Sequence, residues 1–455
     1  MKSAWEALKL ELPPMARLAG PVVTAELGWM TMGVVDTIMV GHVSPAAMGA
    51  VSIGGVLFYT VAIFGTGMLL GLDTLVSQSF GAGDVVDCHR SLLNGVYVCV
   101  PVGLTLMGVV WLFPAFLRSF GIDPAVLQEA IPFLYAIGWS VFPLLLYFAF
   151  RRYLQGMNLV KPVMFALISA NLANLAGDWI LVFGHFGVRA MGAEGAGWST
   201  CLSRIYMASV LLAYILYHER RYRTGWRETP LAPDLPRIRK LIGLGLPAAM
   251  QLSFEVGVFA AATTLIARLG ADVLAAHQVA MNAASFTYMV PLGIGAAAAV
   301  RVGQALGRGD VAAASRAGWT ATLMGAGFMS CAGIVFVLAP GAIVSIYTPD
   351  PNVLAVGVSL LAVAAAFQLF DGIQTVTTGA LRGAGDTRTP MLCHLLGYWG
   401  LGFPLGYVLC FKLNWGAVGL WTGLCVALIA IGIVLGIVWW RKVRSLEREK
   451  MAEAI

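Results

Sequence analysis

The chain reads as an all-α integral membrane protein, with twelve transmembrane helices arranged as two pseudo-symmetric six-helix lobes. Three observations predict this fold class. The composition is 59% hydrophobic and only 11% charged, with a mean hydropathy of +0.81, whereas soluble chains carry about 25% charged residues. Twelve apolar windows are each long enough to cross roughly 30 Å of hydrocarbon. The second half of the sequence also repeats the first in register.

The windows run over 14–40, 47–77, 91–117, 127–150, 163–184, 192–217, 242–267, 273–300, 317–345, 353–381, 390–411 and 416–440. The stretch from Lys2 to Glu11 is polar and offers no small-residue cleavage site before the first window, so the first span is expected to stay. Seven cysteines, Cys88 to Cys425, show no metal-binding spacing and fall mostly in apolar runs, where they act as small hydrophobes. The net charge of +6 calls for no nucleic-acid partner, because position accounts for it. One set of connections holds Lys2, Lys9, Arg17, Arg90, Arg151, Arg152, Lys161, Arg301, Arg308, Arg316, Arg382, Arg388 and the tail from Arg441 to Lys450. It also holds the richest segment, 218–241, with Arg220, Arg221, Arg223, Arg227, Arg237, Arg239 and Lys240. The opposite set holds only Arg118, Arg189, Arg268 and Lys412. An excess of Lys and Arg marks the cytoplasmic side, which puts both termini and the 218–241 segment there.

A shift of 226 residues lays Pro21 on Pro247, Gln78 on Gln304, Gly81 on Gly307, Gly83 on Gly309 and Asp84 on Asp310. A second echo, shifted by 227, matches Leu154-Gln155-Gly156 to Leu381-Arg382-Gly383. Six spans per repeat make both halves enter the membrane in the same sense. The expected organisation is therefore an N-lobe (1–217), a linker (218–241) that tethers the lobes, and a C-lobe (242–455), related by an axis along the membrane normal with a cavity between or within them. Paired lobes favour a carrier that rocks about a central site over a channel.

Charges inside a span cost about 2.5–3.5 kcal/mol on insertion scales and are functional candidates by default. The deep ones are Glu26, Asp36, Asp178, Arg204, Glu255 and Asp371. Five acids against one base describe a cavity that attracts cations. Asp36 on the first span and Asp178 on the fifth lie at one depth, with Asn174 one turn from Asp178 on the same face and Thr200 at a similar depth on the sixth span. This all-oxygen group suits Na⁺ or a proton shared between carboxylates; its bland alternative is a hydrogen-bond network tying three helices together. Glu26 and Arg204 share mid-depth, and a buried Arg needs a partner, so they are expected to pair; alternatively Arg204 leans toward Asp36 or Asp178. Glu255 and Asp371 have no counterpart in the first repeat, where Trp29 occupies the place of Glu255. Apolar surroundings disfavour their charged forms, leaving a proton that can be exchanged for a cation. Na⁺ is thus admissible at Asp36, Asn174 and Asp178, or at Glu255 and Asp371. His277 beside Gln278 is either a proton relay or a packing histidine. Asp73, near the inner end of the second span, is a weaker candidate.

The Gly-x-Gly-Asp turns lack the Gly-Lys-Ser/Thr of a phosphate loop, and glycine at a helix exit is a cap. No Walker A motif occurs, so ATP does not drive the protein directly. No metalloprotease motif or nucleophile elbow occurs either, and the chain is not expected to be an enzyme.

Pro21, Val34-Val35-Asp36-Thr37-Ile38-Met39-Val40-Gly41, the Gln-x-x-Gly-x-Gly turns at 78–83 and 304–309, Gln251 to Glu255, Ala275-Ala276-His277-Gln278-Val279 and Leu381 to Asp386 before Pro390 together resemble the multidrug and toxic compound extrusion (MATE) transporters. The likeness covers about 14–440 with the motifs in family order, and Glu255 with Asp371 is similar to the carboxylates of the NorM-like branch. The resemblance implies export of cationic, often aromatic, small molecules against Na⁺ or H⁺ entry by a rocker-switch exchange of two lobes. It implies coupling by Asp36 with Asn174 and Asp178 in the N-lobe, and a cation or proton site at Glu255 and Asp371 in the C-lobe. Asp36, Glu255 and Asp371 are also the residues expected to meet the drug. Two positions depart from the branch: Phe367 stands where a tyrosine is frequent, and Glu26 where a neutral glutamine is usual. Both bear on the coupling ion, which stays open between Na⁺ and H⁺; no other cofactor is expected. The expected setting is a bacterial inner membrane, the expected state a monomer among lipids, and the expected partners cationic amphiphilic small molecules. A flippase for a lipid-linked precursor is the rival reading, and it would need a basic cavity.

Overall fold

A computed structural model describes residues 4–118 and 123–453; Lys2, counted above among the basic residues, lies outside them. Every regular element it contains is helical. In chain order these are α1 (Ala4–Gly41), α2 (Pro45–Met68), α3 (Gly71–Gly81), α4 (Val85–Leu117), α5 (Pro124–Gly138), α6 (Val141–Gly156), α7 (Val160–Leu181) and α8 (Gly192–Tyr222). They continue as α9 (Leu235–Ile266), α10 (Ala271–Gly307), α11 (Val311–Leu338), α12 (Pro340–Ser345), α13 (Pro351–Gly383), α14 (Arg388–His394), α15 (Phe403–Tyr407) and α16 (Gly416–Glu453). Among the described residues eleven helical stretches are long and apolar enough to cross a membrane, with α2 and α3 counting as one. The pair α5 and α6, bent by 44° at Trp139 and Ser140, supplies a twelfth crossing. The chain is a multi-pass membrane protein, as the hydropathy windows require.

By packing the chain divides into two compact units. The amino-side unit is Thr24–Ala249, and the carboxyl-side unit is Met250–Ile455 together with Met1–Val23. The divisions fall inside α1 and inside α9, each two residues past a proline, Pro21 and Pro247. Each ring leaves the carbonyl four residues earlier, of Arg17 or Gly243, without its helical donor. The early part of α1 is held in the carboxyl-side unit by an ion pair, in which Arg301 Nε and Nη2 lie 2.8 and 2.5 Å from Glu11 Oε1.

Lipid tails are as apolar as leucine, so helices in a membrane associate through close packing, and small residues permit it. In the carboxyl-side unit α13 lies against α10 at Gly379 and Gly383, one turn apart; a Cβ on them would stand 2.1 Å from Gly295 O and 2.3 Å from Ala299 O. In the amino-side unit the 218–241 segment is fastened to α4. Arg237 pairs with Asp87 and donates to Ser91 Oγ at 2.7 Å, Arg90 pairs with Asp234 at 3.3 Å, and the Asp234 N–H donates to Asn94 Oδ1 at 2.9 Å.

Candidate functional site

The amino-side unit brings together all four of its predicted site residues. Asp36 on α1 accepts a hydrogen bond from Thr200 Oγ1 on α8 at 2.9 Å. Asn174 and Asp178, one turn apart on α7, are fully buried and come within hydrogen-bonding reach of Asp36. Ser199, which the sequence reading passed over, fixes the orientation of Asn174. Its hydroxyl proton goes to Asn174 O at 2.9 Å, so its oxygen must accept from Asn174 Nδ2, 3.2 Å away. The Asn174 amide lies within hydrogen-bonding reach of Asp36 as well, while Asn174 Oδ1, Asp36 Oδ1 and both carboxylate oxygens of Asp178 find no hydrogen-bond donor. Oxygen facing oxygen in a buried place is held together only by a proton or a cation. Thr200 and Ser199 are consecutive on one helix that meets both α1 and α7, the signal by which Ser199 could have been found.

The expected pairing of Glu26 with Arg204 does not form. Glu26 is instead ion-paired with Arg151 Nη2, and the guanidinium of Arg151 is completely buried. Arg151 and Arg152 were assigned to a loop because hydropathy falls at 151, but α6 continues to Gly156 and carries both inside the unit. Arg152 lies 3.6 Å from Asp73 Oδ2. Two of the acids near mid-depth and below thus have fixed counter-ions. Arg204, on α8, reaches the α5–α6 bend, where Nη1 donates to Ser140 Oγ at 2.5 Å, and it lies over the Phe58 ring at 4.5 Å. It remains close enough to act electrostatically on Asp36, in line with the second arrangement considered for it.

In the carboxyl-side unit Glu255 on α9 and Asp371 on α13 lie close enough to act on one another through their charges. Asp371 Oδ1 accepts from Gln374 Nε2 at 2.9 Å, and the same amide reaches Tyr398 Oη at 3.2 Å. Tyr288 on α10 donates to Glu255 Oε1 at 3.5 Å. On its other side Glu255 Oε2 stands 3.6 Å from His394 Nδ1. His394 is almost fully buried and ends α14, where the helix widens into a π-helical stretch, Leu395–Gly402, that carries Tyr398. Insertions of this kind accompany functional sites. They also spoil a count by 3.6, so neither residue stood out in the sequence. Phe367, the departure noted above, packs near the Trp421 ring at 6.1 Å and offers no oxygen. His277 is a packing histidine: Trp421 Nε1–H donates to its Nδ1 at 3.0 Å, which leaves the proton on Nε2 for Thr263 Oγ1 at 2.8 Å. Thr263 in turn donates to Phe259 O, so the chain of bonds is complete. Among the described residues no three His, Cys, Asp or Glu side chains converge as a metal site. The donors here are carboxylates, amides and hydroxyls, which suit a proton or an alkali cation rather than a transition metal.

A family model for MatE matches residues 21–180 and 247–408. The chain is 35% identical to a probable multidrug resistance protein NorM of Mesorhizobium japonicum, over 95% of this chain and 94% of that one. It is 36% identical to the protein of the same name from Brucella suis, over 95% and 93%. Among solved structures the eukaryotic MATE transporter AtDTX14 superposes with a TM-score of 0.87 at 21% identity, covering 97% of this chain and 99% of that one. A transporter from Pyrococcus furiosus, described as having a binding pocket of reversed polarity, superposes with a TM-score of 0.83 at 17% identity.

Proposed function

Since the chain belongs to the MatE family, whose members are membrane transporters and not enzymes, we propose that it is a secondary active multidrug efflux antiporter that exports organic cations in exchange for Na⁺ or H⁺. One observation carries the reading. Each unit gathers its own pair of carboxylates, one buried and one half-buried, Asp178 with Asp36 and Asp371 with Glu255, and acceptor oxygens of the first pair have no donor. Such groups bind cations and release them when the surroundings change. In the outward-open state a Na⁺ or H⁺ occupies carboxylates and displaces the drug. A rocker-switch reorientation of the two units then delivers the ion to the cytoplasm and frees the acids for the next cationic drug. One charge moving inward gains about 2.3 kcal/mol per 100 mV, to which the ion gradient adds. The setting in this account is a bacterial inner membrane with both termini cytoplasmic, as the positive-inside rule places the basic connections.

The test is efflux of ethidium, a cationic aromatic dye, from cells expressing the protein, with Na⁺ and pH gradients imposed separately. Efflux should follow one of the two gradients and fall to the background of empty cells in Asp36→Asn and in Asp371→Asn. If dye leaves at the same rate with both gradients collapsed, the antiporter reading is wrong. If no dye leaves at all, transport of a lipid-linked anion becomes the reading to examine.

A further inference from the structure

Within the carboxyl-side unit a cleft opens among α9, α10, α13 and α14. Glu255, Tyr288 and His394 form one end of it, Arg382 marks the other, and Thr375 and Thr378 lie between. Its free volume is about 30 Å³, room for a water or a small ion and far below the size of a drug pocket. Water and a small cation fit there better than a drug.

The polar groups follow one line. Asp371, Thr375, Thr378 and Arg382 are spaced by four, three and four residues on α13, so they share a face. Eleven residues of helix rise about 16 Å, half the hydrocarbon thickness. Thr377 on the same helix spends its hydroxyl on Ile373 O, the ordinary recourse of a helical threonine. Thr375 and Thr378 do not; both hydroxyl oxygens are buried and find no protein partner, and the two ring nitrogens of His394 likewise make no hydrogen bond. These groups are presented to the cleft, where water or an ion can satisfy them.

The repeat shows that the fold does not require such a cleft. At the matching places of the amino-side unit, Phe148 stands for Thr375, Arg151 for Thr378, Trp29 for Glu255 and, counting from Pro162 and Pro390, Ala166 for His394. Those positions are packed shut. Trp29 stacks on Tyr147 at 6.4 Å and meets the edge of Phe148 at 5.7 Å, while Arg151 is ion-paired with Glu26.

We propose that the cleft is a hydrated passage for the coupling cation inside the carboxyl-side unit, leading from Glu255 and Asp371 past His394, Thr375 and Thr378 to the end of α13 at Arg382. It rests on the antiporter reading and adds to it a route for the ion that is separate from that of the drug. The titratable groups lining it are Glu255, His394, Tyr288 and Arg382, with Tyr398 against the His394 ring and Asp371 acting on Glu255 through its charge.

The test uses the full-length protein in liposomes. Thr378→Cys should react with a small cationic methanethiosulfonate at least tenfold faster than Leu381→Cys, whose position is fully buried in the same helix; labelling of wild type measures the native cysteines and is subtracted. Thr378→Phe, which fills the passage, should lower gradient-driven ethidium transport at least tenfold while the dye's Kd stays within twofold. Equal labelling of the two cysteine variants, or wild-type transport by Thr378→Phe, overturns the passage. If wild type itself responds to neither gradient while Thr378→Cys labels quickly, the cleft is hydrated but the antiporter reading beneath it has failed.

Discussion

Arg151 and Glu26 show what a single pair of side chains contributes. Both are buried, with Arg151 wholly so, and removing one partner leaves the other charge without compensation. Arg151→Ala should therefore cost about 3–5 kcal/mol of stability, seen as a fall in the unfolding temperature of the purified protein. The double variant Glu26→Gln/Arg151→Gln should recover most of that loss, because a neutral pair has little desolvation to repay. Ser199 matters differently: it orients rather than neutralises. Ser199→Ala removes the hydroxyl that holds Asn174 Nδ2 and leaves the amide free to rotate beside Asp36 and Asp178. Dye export should drop about tenfold, the scale of one buried hydrogen bond to a charged group, with the fold intact by circular dichroism. Asp36, Asn174, Asp178 and Thr200 were legible in the sequence because depth along an apolar span can be counted from its ends. Arg151 was not, since hydropathy drops where a helix leaves the membrane and equally where it carries a buried charge. His394 was hidden by the π-helical turn that follows it, which changes the face a residue presents.

At the scale of elements, one turn recurs four times. After α3, α6, α10 and α13 the chain passes through a left-handed residue, Gly83, Asn158, Gly309 or Gly385. The next N–H then bonds back five residues, to Ser79, Leu154, Ala305 or Leu381. This is the Schellman closure, which takes glycine most readily and asparagine next. After three of them an aspartate caps the following helix, Asp84 on Asp87 N, Asp310 on Ala313 N and Asp386 on Thr389 N. Asp310→Ala should cost about 1 kcal/mol and Gly309→Ala about 1–2 kcal/mol, both read from thermal unfolding, whereas Asn158→Gly should be close to neutral. The turns at Gly83 and Gly309 were visible as Gly-x-Gly-Asp in the sequence, including their role as caps, whereas the one at Asn158 lacks that motif. The bend between α5 and α6 was not, although Gly138 ends α5 and Pro143 lies in the first turn of α6, because both fall inside one apolar window. It comes where Ser140 meets Arg204, a contact between residues 64 apart.

At the scale of the whole molecule, the fold was legible because two properties extend along the entire chain. Apolar windows of sufficient length give the crossings, and the repeat from Pro21 to Pro247 gives their grouping into two. The repeat also made its own exceptions visible. Trp29 facing the place of Glu255, and Arg151 the place of Thr378, mark where the units differ in chemistry while sharing a backbone plan. One unit closes that region with aromatic rings and an ion pair, and the other leaves a polar cleft beside its acids. The most direct measurement is transport by purified protein in liposomes, with ethidium at equal concentration on both sides and a Na⁺ or proton gradient imposed alone. The account predicts that one gradient drives the dye uphill, and that Asp36→Asn and Asp371→Asn each abolish this. Dye that stays at equilibrium under both gradients, or that accumulates equally in the two variants, would contradict it.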